Sequence, residues 1–209
     1  MLKIIKPAIL LTAVFTIGTG FMFPAGITLL ARLLFPGQAN GSLVRSHGVV
    51  VGAAHIGQNF TAPYYFHPRP SAAGNGYDAS NSSGTNLGPT SDKLIHGSPA
   101  AAGSSGFTGI AQLAAQYRKE NNLSASTPLP ADAVTYSASG LDPDISPANA
   151  RLQAPRVAAA AGLTLNQVQL AITQSTRTRT FGLLGEPRVN VLALNLAIAR
   201  LRAHSQPVQ

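Results

Sequence analysis

A run of 25 residues near the start of the chain, Pro7 to Ala31, holds no Asp, Glu, Lys, Arg or His, and Lys3, Lys6 and Arg32 bracket it. Coiled as a helix it reaches roughly 37 Å at about 1.5 Å per residue, enough for a hydrocarbon core of about 30 Å. A removable leader has an apolar stretch of only about 7–15 residues before a small-residue cleavage site. No A-x-A element follows this run before Arg32. The run therefore reads as a retained membrane helix over 7–34, behind a short cytoplasmic segment 1–6, with residues 35–209 forming one soluble domain. Two lysines and the amino terminus precede the helix and one arginine follows it. The positive-inside rule then puts the body on the extracytoplasmic side.

Within the helix, Gly18, Gly20 and Gly26 offer a small-residue face on which another membrane helix can pack closely. Pro24 leaves the carbonyl about four residues earlier without a donor and kinks the helix there.

The chain has no cysteine, which excludes disulfides, thiolate metal sites and cysteine nucleophiles. Its formal charge is +8. Three of the fifteen basic residues flank the helix, leaving twelve against seven acidic ones in the body. The excess lies late: Arg151, Arg156, Arg177, Arg179, Arg188, Arg200 and Arg202 face only Glu186 after Ala150. Such a face suits anionic headgroups or an acidic partner. No recognition motif or aromatic-basic interleaving accompanies it, which argues against nucleic acid.

The body reads as α+β, with strand signals early and helices late. Residues 33–47 leave the membrane through Phe35-Pro36-Gly37 and a polar turn, and Val49 to Ile56 is a β-branched strand. Residues 72–91 are loop, and 96–109 is an Ala/Gly/Ser-rich flexible insertion. Ile110 to Asn121 has helical periodicity, with Ile110, Leu113, Ala114 and Tyr117 on one face. Val134-Thr135-Tyr136 suggests a strand. Ser146-Pro147 starts a helix that stops at Gly162, and Thr164 with Gln167 forms a capping box for the next. After a turn at 182–187, Val191, Leu194, Ile198 and Leu201 line one face of a last helix.

The sequence has no Gly-x-x-x-x-Gly-Lys-Ser/Thr loop. Asp92-Lys93 continues as Leu94-Ile95 rather than as a phosphorylation sequence. The five histidines never fall at metal-ligating helical spacing, so no metal is expected. Ser139 lies in Ser-Ala-Ser-Gly, outside a nucleophile elbow. The segment Ser137 to Gln153 is the richest in chemistry: Ser137, Ser139, Gly140, Asp142, a fresh helix start at Ser146, and Gln153. Gln58, Asn59, Tyr65, Arg69 and Ser71 form a second polar cluster that suits a partner surface. Two alternatives to a partner-bound role are a membrane-tethered envelope hydrolase using Ser139, a histidine and Asp142, and an anionic-lipid-binding module using the late arginines.

An ordered set of short stretches runs along the chain: Asn40-Gly41-Ser42-Leu43-Val44, Ile56-Gly57-Gln58-Asn59-Phe60, Arg69-Pro70-Ser71-Ala72 and Thr85-Asn86-Leu87-Gly88-Pro89. Ser137-Ala138-Ser139-Gly140-Leu141-Asp142-Pro143 with Ile145-Ser146-Pro147, then Gln153 and Arg156-Val157-Ala158, and Leu184-Gly185-Glu186-Pro187-Arg188-Val189-Asn190-Val191 with Leu194-Asn195 follow. Behind a single membrane helix, this set resembles the C-subunit family of the bacterial Kdp potassium-transporting ATPase. The stretch from Pro99 to Gly109 looks longer than that family usually carries. The resemblance implies a non-catalytic single-pass subunit of the inner membrane. Its implied partners are an ATP-hydrolysing P-type subunit, a potassium-channel-like subunit, a small membrane subunit and membrane lipid. It further implies a role in assembly and as a catalytic chaperone that raises ATP affinity, with no stably bound cofactor but ATP shared with the ATPase subunit. On that view Ser137, Ser139, Gly140, Asp142 and Gln153 contact nucleotide, while Gly18, Gly20, Pro24, Gln58, Asn59 and Arg69 contact partners. An extracytoplasmic body and direct contact with cytoplasmic ATP oppose one another.

Overall fold

An uncharged run with no polar partner for its backbone satisfies that backbone internally, and the first 33 residues after Met1 do so as one nearly continuous helix. The computed structural model describes residues 2–99 and 106–205. The chain divides into two compact units, residues 1–53 and 54–209.

In the first unit, α1 (Leu2–Ile17) passes through a π turn (Gly18–Met22) into α2 (Phe23–Leu34). The stretch Lys3–Leu34 is long and apolar enough to cross a membrane. The π turn has a local cause. Pro24 has no N–H to give the Gly20 carbonyl and its ring crowds that oxygen. The Phe23 N–H bonds back to the Gly18 carbonyl, five residues earlier. The extra residue in the turn gives the ring room. The irregularity expected at Pro24 thus takes the form of a π turn. After α3 (Pro36–Ala39) come β1 (Leu43–Ser46) and β2 (Val49–Ala53), paired antiparallel. β1 replaces part of the expected turn, and β2 is the expected strand, ending at Ala53 rather than Ile56.

The second unit opens with a long polar loop and then carries α4 (Asp92–His96), α5 (Ile110–Glu120) and α6 (Ala131–Val134). Next are β3 (Asp144–Ile145), α7 (Pro147–Ala161), α8 (Leu165–Ser175), β4 (Thr176–Arg177), β5 (Arg188–Asn190) and α9 (Val191–Ser205). The Ser146 hydroxyl caps α7, Gly162 ends it in the left-handed conformation, and the Thr164–Gln167 capping box opens α8, as the sequence signals require.

Two expectations fail. Early strands before late helices is not the order found, because a three-stranded antiparallel sheet, β3-β5-β4, lies among the late helices. Its strands of two or three residues are too short to leave a period-2 signal. The strand expected at Val134–Tyr136 is absent, since Val134 closes α6 instead. Ala133 and Val134 are buried against Tyr117 of α5, with Ile110, Leu113 and Ala114 packed alongside. That packing overrides the β-preference of the branched residues. The mixed α+β class stands.

The main core joins Phe66 and Ile145 to Val157 of α7, Val168 and Ile172 of α8, Val189 of β5, and Val191, Leu194 and Ile198 of α9. The α9 face is the one its periodicity marks. Residues 100–105 of the expected 96–109 insertion lie outside the described residues. Beside them, Ser98 and Phe107 exchange backbone hydrogen bonds of 2.8 and 2.9 Å.

Candidate functional site

The segment Tyr65-Phe66-His67 crosses the helices without a neighbouring strand, yet its backbone is paired. Two side-chain amides supply the missing ladder. Asn195 of α9 accepts from the Phe66 N–H at 2.8 Å and donates to the Phe66 carbonyl at 3.0 Å. Gln153 of α7 does the same for His67, at 2.7 and 3.1 Å. Asn195 is 2% exposed and Gln153 1%. Together they press the Phe66 ring, fully buried, into the main core. Unpaired, these backbone groups would each carry a substantial desolvation cost.

Gln153 belongs to a longer relay. The Asp132 carboxylate accepts from the Ser146 N–H and hydroxyl, both at 2.8 Å, and from the Asn149 amide at 2.9 Å. A negative group therefore already sits at the start of α7, where unpaired N–H groups favour an anion. The Asn149 side-chain oxygen accepts from the Gln153 amide and from the Tyr117 hydroxyl, each at 2.8 Å. The Gln153 oxygen accepts in turn from Arg156 at 2.8 Å. Arg156 also donates to the Pro63 and Tyr65 carbonyls and to Asn121, at 2.6, 3.0 and 3.0 Å. Burial pushes the Tyr117 hydroxyl well above its ordinary pKa of 10.0, with nearby Asp132 adding to it. Burial lowers the Arg156 guanidinium, opposed by the nearby carboxylate of Glu120.

The Ser137–Asp142 turn is held from all sides. Its Ser137 N–H donates to the Pro70 carbonyl at 2.9 Å, and the Ser71 hydroxyl donates to the Gly140 carbonyl at 2.6 Å. The Ser137 hydroxyl accepts from the Gly140 N–H and the Ser139 hydroxyl from the Leu141 N–H, both at 3.1 Å. Asp142 pairs with Arg69 at 2.8 Å and accepts from the Asp144 N–H at 3.1 Å. Tyr77 donates its hydroxyl to the Arg69 carbonyl at 2.9 Å. Burial, followed by the charge of Asp142, raises its pKa well above the usual 10.0. Gly140 has φ of +70°, and its bare Cα faces Ala73 and the Ser83 carbonyl.

The site residues expected from the sequence divide between two clefts. Ser137, Ser139 and Asp142 line one of about 490 Å³ together with His55 and Ser82. Gln153 lines another of about 400 Å³ with Asn59, Tyr77, Tyr117 and Glu120. Arg69 borders both. Gln58 is half-buried and Asn59 exposed on the loop that leads to the second cleft. Gly18, Gly20 and Pro24 stand on the apolar helix. Among the described residues, no three His, Asp or Glu side chains stand together as metal ligands do. Sequence reasoning missed Asp132, and it gave Asn195 no role beyond its place in the Leu194-Asn195 stretch of the resemblance. It had one usable signal: Asn149 and Gln153 are polar residues four apart on a face otherwise carrying Ala150, Ala154 and Val157.

The same cleft contains a pH-sensitive contact. His67 Nδ1 lies 2.7 Å from Glu120 Oε1. The hydrogen bond from His67, helped by the charges of His67 and Arg156 and opposed by burial, holds the Glu120 carboxyl below its usual 4.5. A depressed carboxyl pKa makes the folded state prefer the ionised form. Its stabilisation is complete above pH 4.5 and disappears as the pH falls through the lower folded value. Glu120→Gln is expected to reduce the loss of denaturant stability below pH 4.5. Acid limbs that superimpose for variant and parent would count against this coupling.

The KdpC family model, described as the c chain of K+-transporting ATPase, matches residues 5–200. The chain is 51% identical over 201 residues to the potassium-transporting ATPase KdpC subunit of Mycobacterium tuberculosis, covering 96% of this chain and 100% of that protein. It is 49% identical over 208 residues to the KdpC subunit of a Caulobacter species, covering 99% and 98%, and 52% identical over 183 residues to that of Myxococcus xanthus, covering 87% and 81%. An apolar amino-terminal helix, an α+β body and a match along nearly the whole length agree: this chain belongs to the KdpC family, the c chain of the potassium-transporting ATPase.

Proposed function

We propose that this chain is the accessory, non-catalytic subunit that supports assembly of an ATP-driven potassium uptake complex. It crosses the inner membrane once, with its body on the extracytoplasmic side. Its partners are the ATP-hydrolysing P-type subunit, the potassium-channel-like subunit and the small membrane subunit, with lipid around the helix. As a catalytic chaperone it raises the ATP affinity of the hydrolysing subunit from a distance, with no nucleotide held stably on this chain. One observation supports action at a distance. The groups expected to meet nucleotide are engaged within the body: Gln153 by His67, Asn149 and Arg156, and the Ser137–Asp142 turn by the surrounding loops. The basic flank Lys3 and Lys6 supports the orientation.

The membrane helix supplies the test. Gly18 and Gly20 have nothing within 4 Å of where a Cβ would stand, so larger side chains fit this chain without strain. A neighbouring helix packed on them would be pushed away. Gly18→Leu with Gly20→Leu is expected to leave the unfolding of the body unchanged. Retention of the ATP-hydrolysing and channel-like subunits in mild detergent is expected to fall at least tenfold. Retention at the parent level would sink the reading that this face joins the complex.

A further inference from the structure

The hairpin between β4 and β5 carries the two most exposed large apolar side chains among the described residues, Phe181 at 89% and Leu183 at 80%, with Leu184 beside them at 63%. The first two exceed every large apolar side chain of the membrane helix, where Ile4 at 71% is the highest. A soluble domain seldom leaves such a group uncovered.

The tip is also shaped. The Thr180 N–H donates to the Leu184 carbonyl and the Leu184 N–H to the Thr180 carbonyl, both at 2.9 Å. Phe181 and Gly182 have consecutive positive φ values, +54° and +75°, the pattern of a primed hairpin turn. Asn, Asp or Gly takes the first of these positions without strain, whereas a bulky aromatic there is a backbone outlier. An outlier that exposes an aromatic ring points to a use for the ring. Below the tip, one guanidinium nitrogen of Arg179 donates to both carboxylate oxygens of Glu186, at 2.7 and 2.8 Å.

That pair decides between occupants. From Thr178 to Pro187 the charges are Arg179 and Glu186, which pair with each other, and the next charged residues, Arg177 and Arg188, stand opposite one another at the foot of the hairpin. The tip itself, Thr180 to Gly185, carries no cation for anionic headgroups, and the exposed Glu186 carboxylate stands next to it. A rigid, neutral, apolar knob matches a preformed apolar pocket, in the way an aromatic anchor seats at the centre of a protein interface.

We propose that the 178–187 hairpin is a docking knob whose Phe181 and Leu183 side chains enter an uncharged apolar pocket on another subunit of the transporter. This inference rests on the accessory-subunit reading above.

The test uses the full chain in its native membrane. A photoreactive phenylalanine analogue replaces Phe181, and the tagged chain is recovered with whatever remains bound. A covalent adduct to a polytopic subunit that the unmodified chain also retains is expected. The double variant Phe181→Asn with Leu183→Ser is measured alongside. Asparagine suits the left-handed position better than phenylalanine, so the body is expected to keep or raise its unfolding midpoint while partner retention falls at least fivefold. A merely structural knob would lose stability instead. Adducts to phospholipid alone, or unchanged retention in the double variant, would overturn the docking knob while leaving complex membership intact. If the unmodified chain retained no transporter subunit, the accessory-subunit reading would fail first.

Discussion

Gln153→Leu is expected to destabilise the body by about 3–5 kcal/mol, the range for breaking a buried network that includes a charge. Leucine fills the space but bonds to nothing. It strands the His67 N–H and carbonyl, removes one donor from the Asn149 oxygen, and takes a neutral acceptor from the buried side of Arg156. Each uncompensated neutral group costs about 1–3 kcal/mol, and more when charged. The Phe66 ring loses its adjoining clamp as well, though Asn195 still holds Phe66 itself. Urea unfolding of the detergent-solubilised chain gives the stability. The apparent KM for ATP of the assembled transporter gives the alternative role. A parental unfolding curve with a raised KM would place Gln153 on the nucleotide, whereas a lowered unfolding curve is what its hydrogen-bond network leads us to expect.

Gly140→Ala carries the second large effect, a loss of about 2–4 kcal/mol from overpacking and backbone strain together. A methyl group there would lie 2.6 Å from both the Ala73 Cβ and the Ser83 oxygen and 2.8 Å from the Ala73 nitrogen, and two of those three atoms are backbone. The residue's φ of +70° disfavours any L side chain besides. The turn would have to part from the 69–77 loop, breaking the 2.6 Å bond from Ser71 and loosening the Arg69–Asp142 pair. The expected readout is a lower thermal midpoint with new protease sensitivity in the loop around Ala72. An unchanged midpoint would mean that the loop yields freely and that the glycine is not required for packing.

Both substitutions fall in the segment whose serines, glycine, carboxylate and glutamine look, in one dimension, like a nucleotide site. The difference is a matter of what the groups meet. A glycine beside hydroxyls is equally the composition of a phosphate cradle and of a tight turn packed under another loop. Ala73 and Ser83 against Gly140, and Asp132 at the start of α7, are what the fold packs against these groups. Asp132 and Ser146 are fourteen residues apart, beyond the reach of any local pattern.

The sequence by itself determined the features that depend on neighbouring residues. The apolar run at 7–31, the Ser146 cap with Pro147, the stop at Gly162, the Thr164–Gln167 box and the buried stripe of α9 all follow from local hydrogen bonding, backbone freedom or 3.6-residue periodicity. The family was legible too, because ordered short stretches carry more information together than any one alone. Tertiary structure alone decided the rest. It made Val134 helical by burying it against Tyr117, and it built a sheet from strands too short to announce themselves. It also used Gln153 and Asn195 as substitutes for a neighbouring strand. Those outcomes turn on contacts between residues up to 129 positions apart, and the energy of such a contact is set by burial and partner geometry, which no stretch of sequence contains.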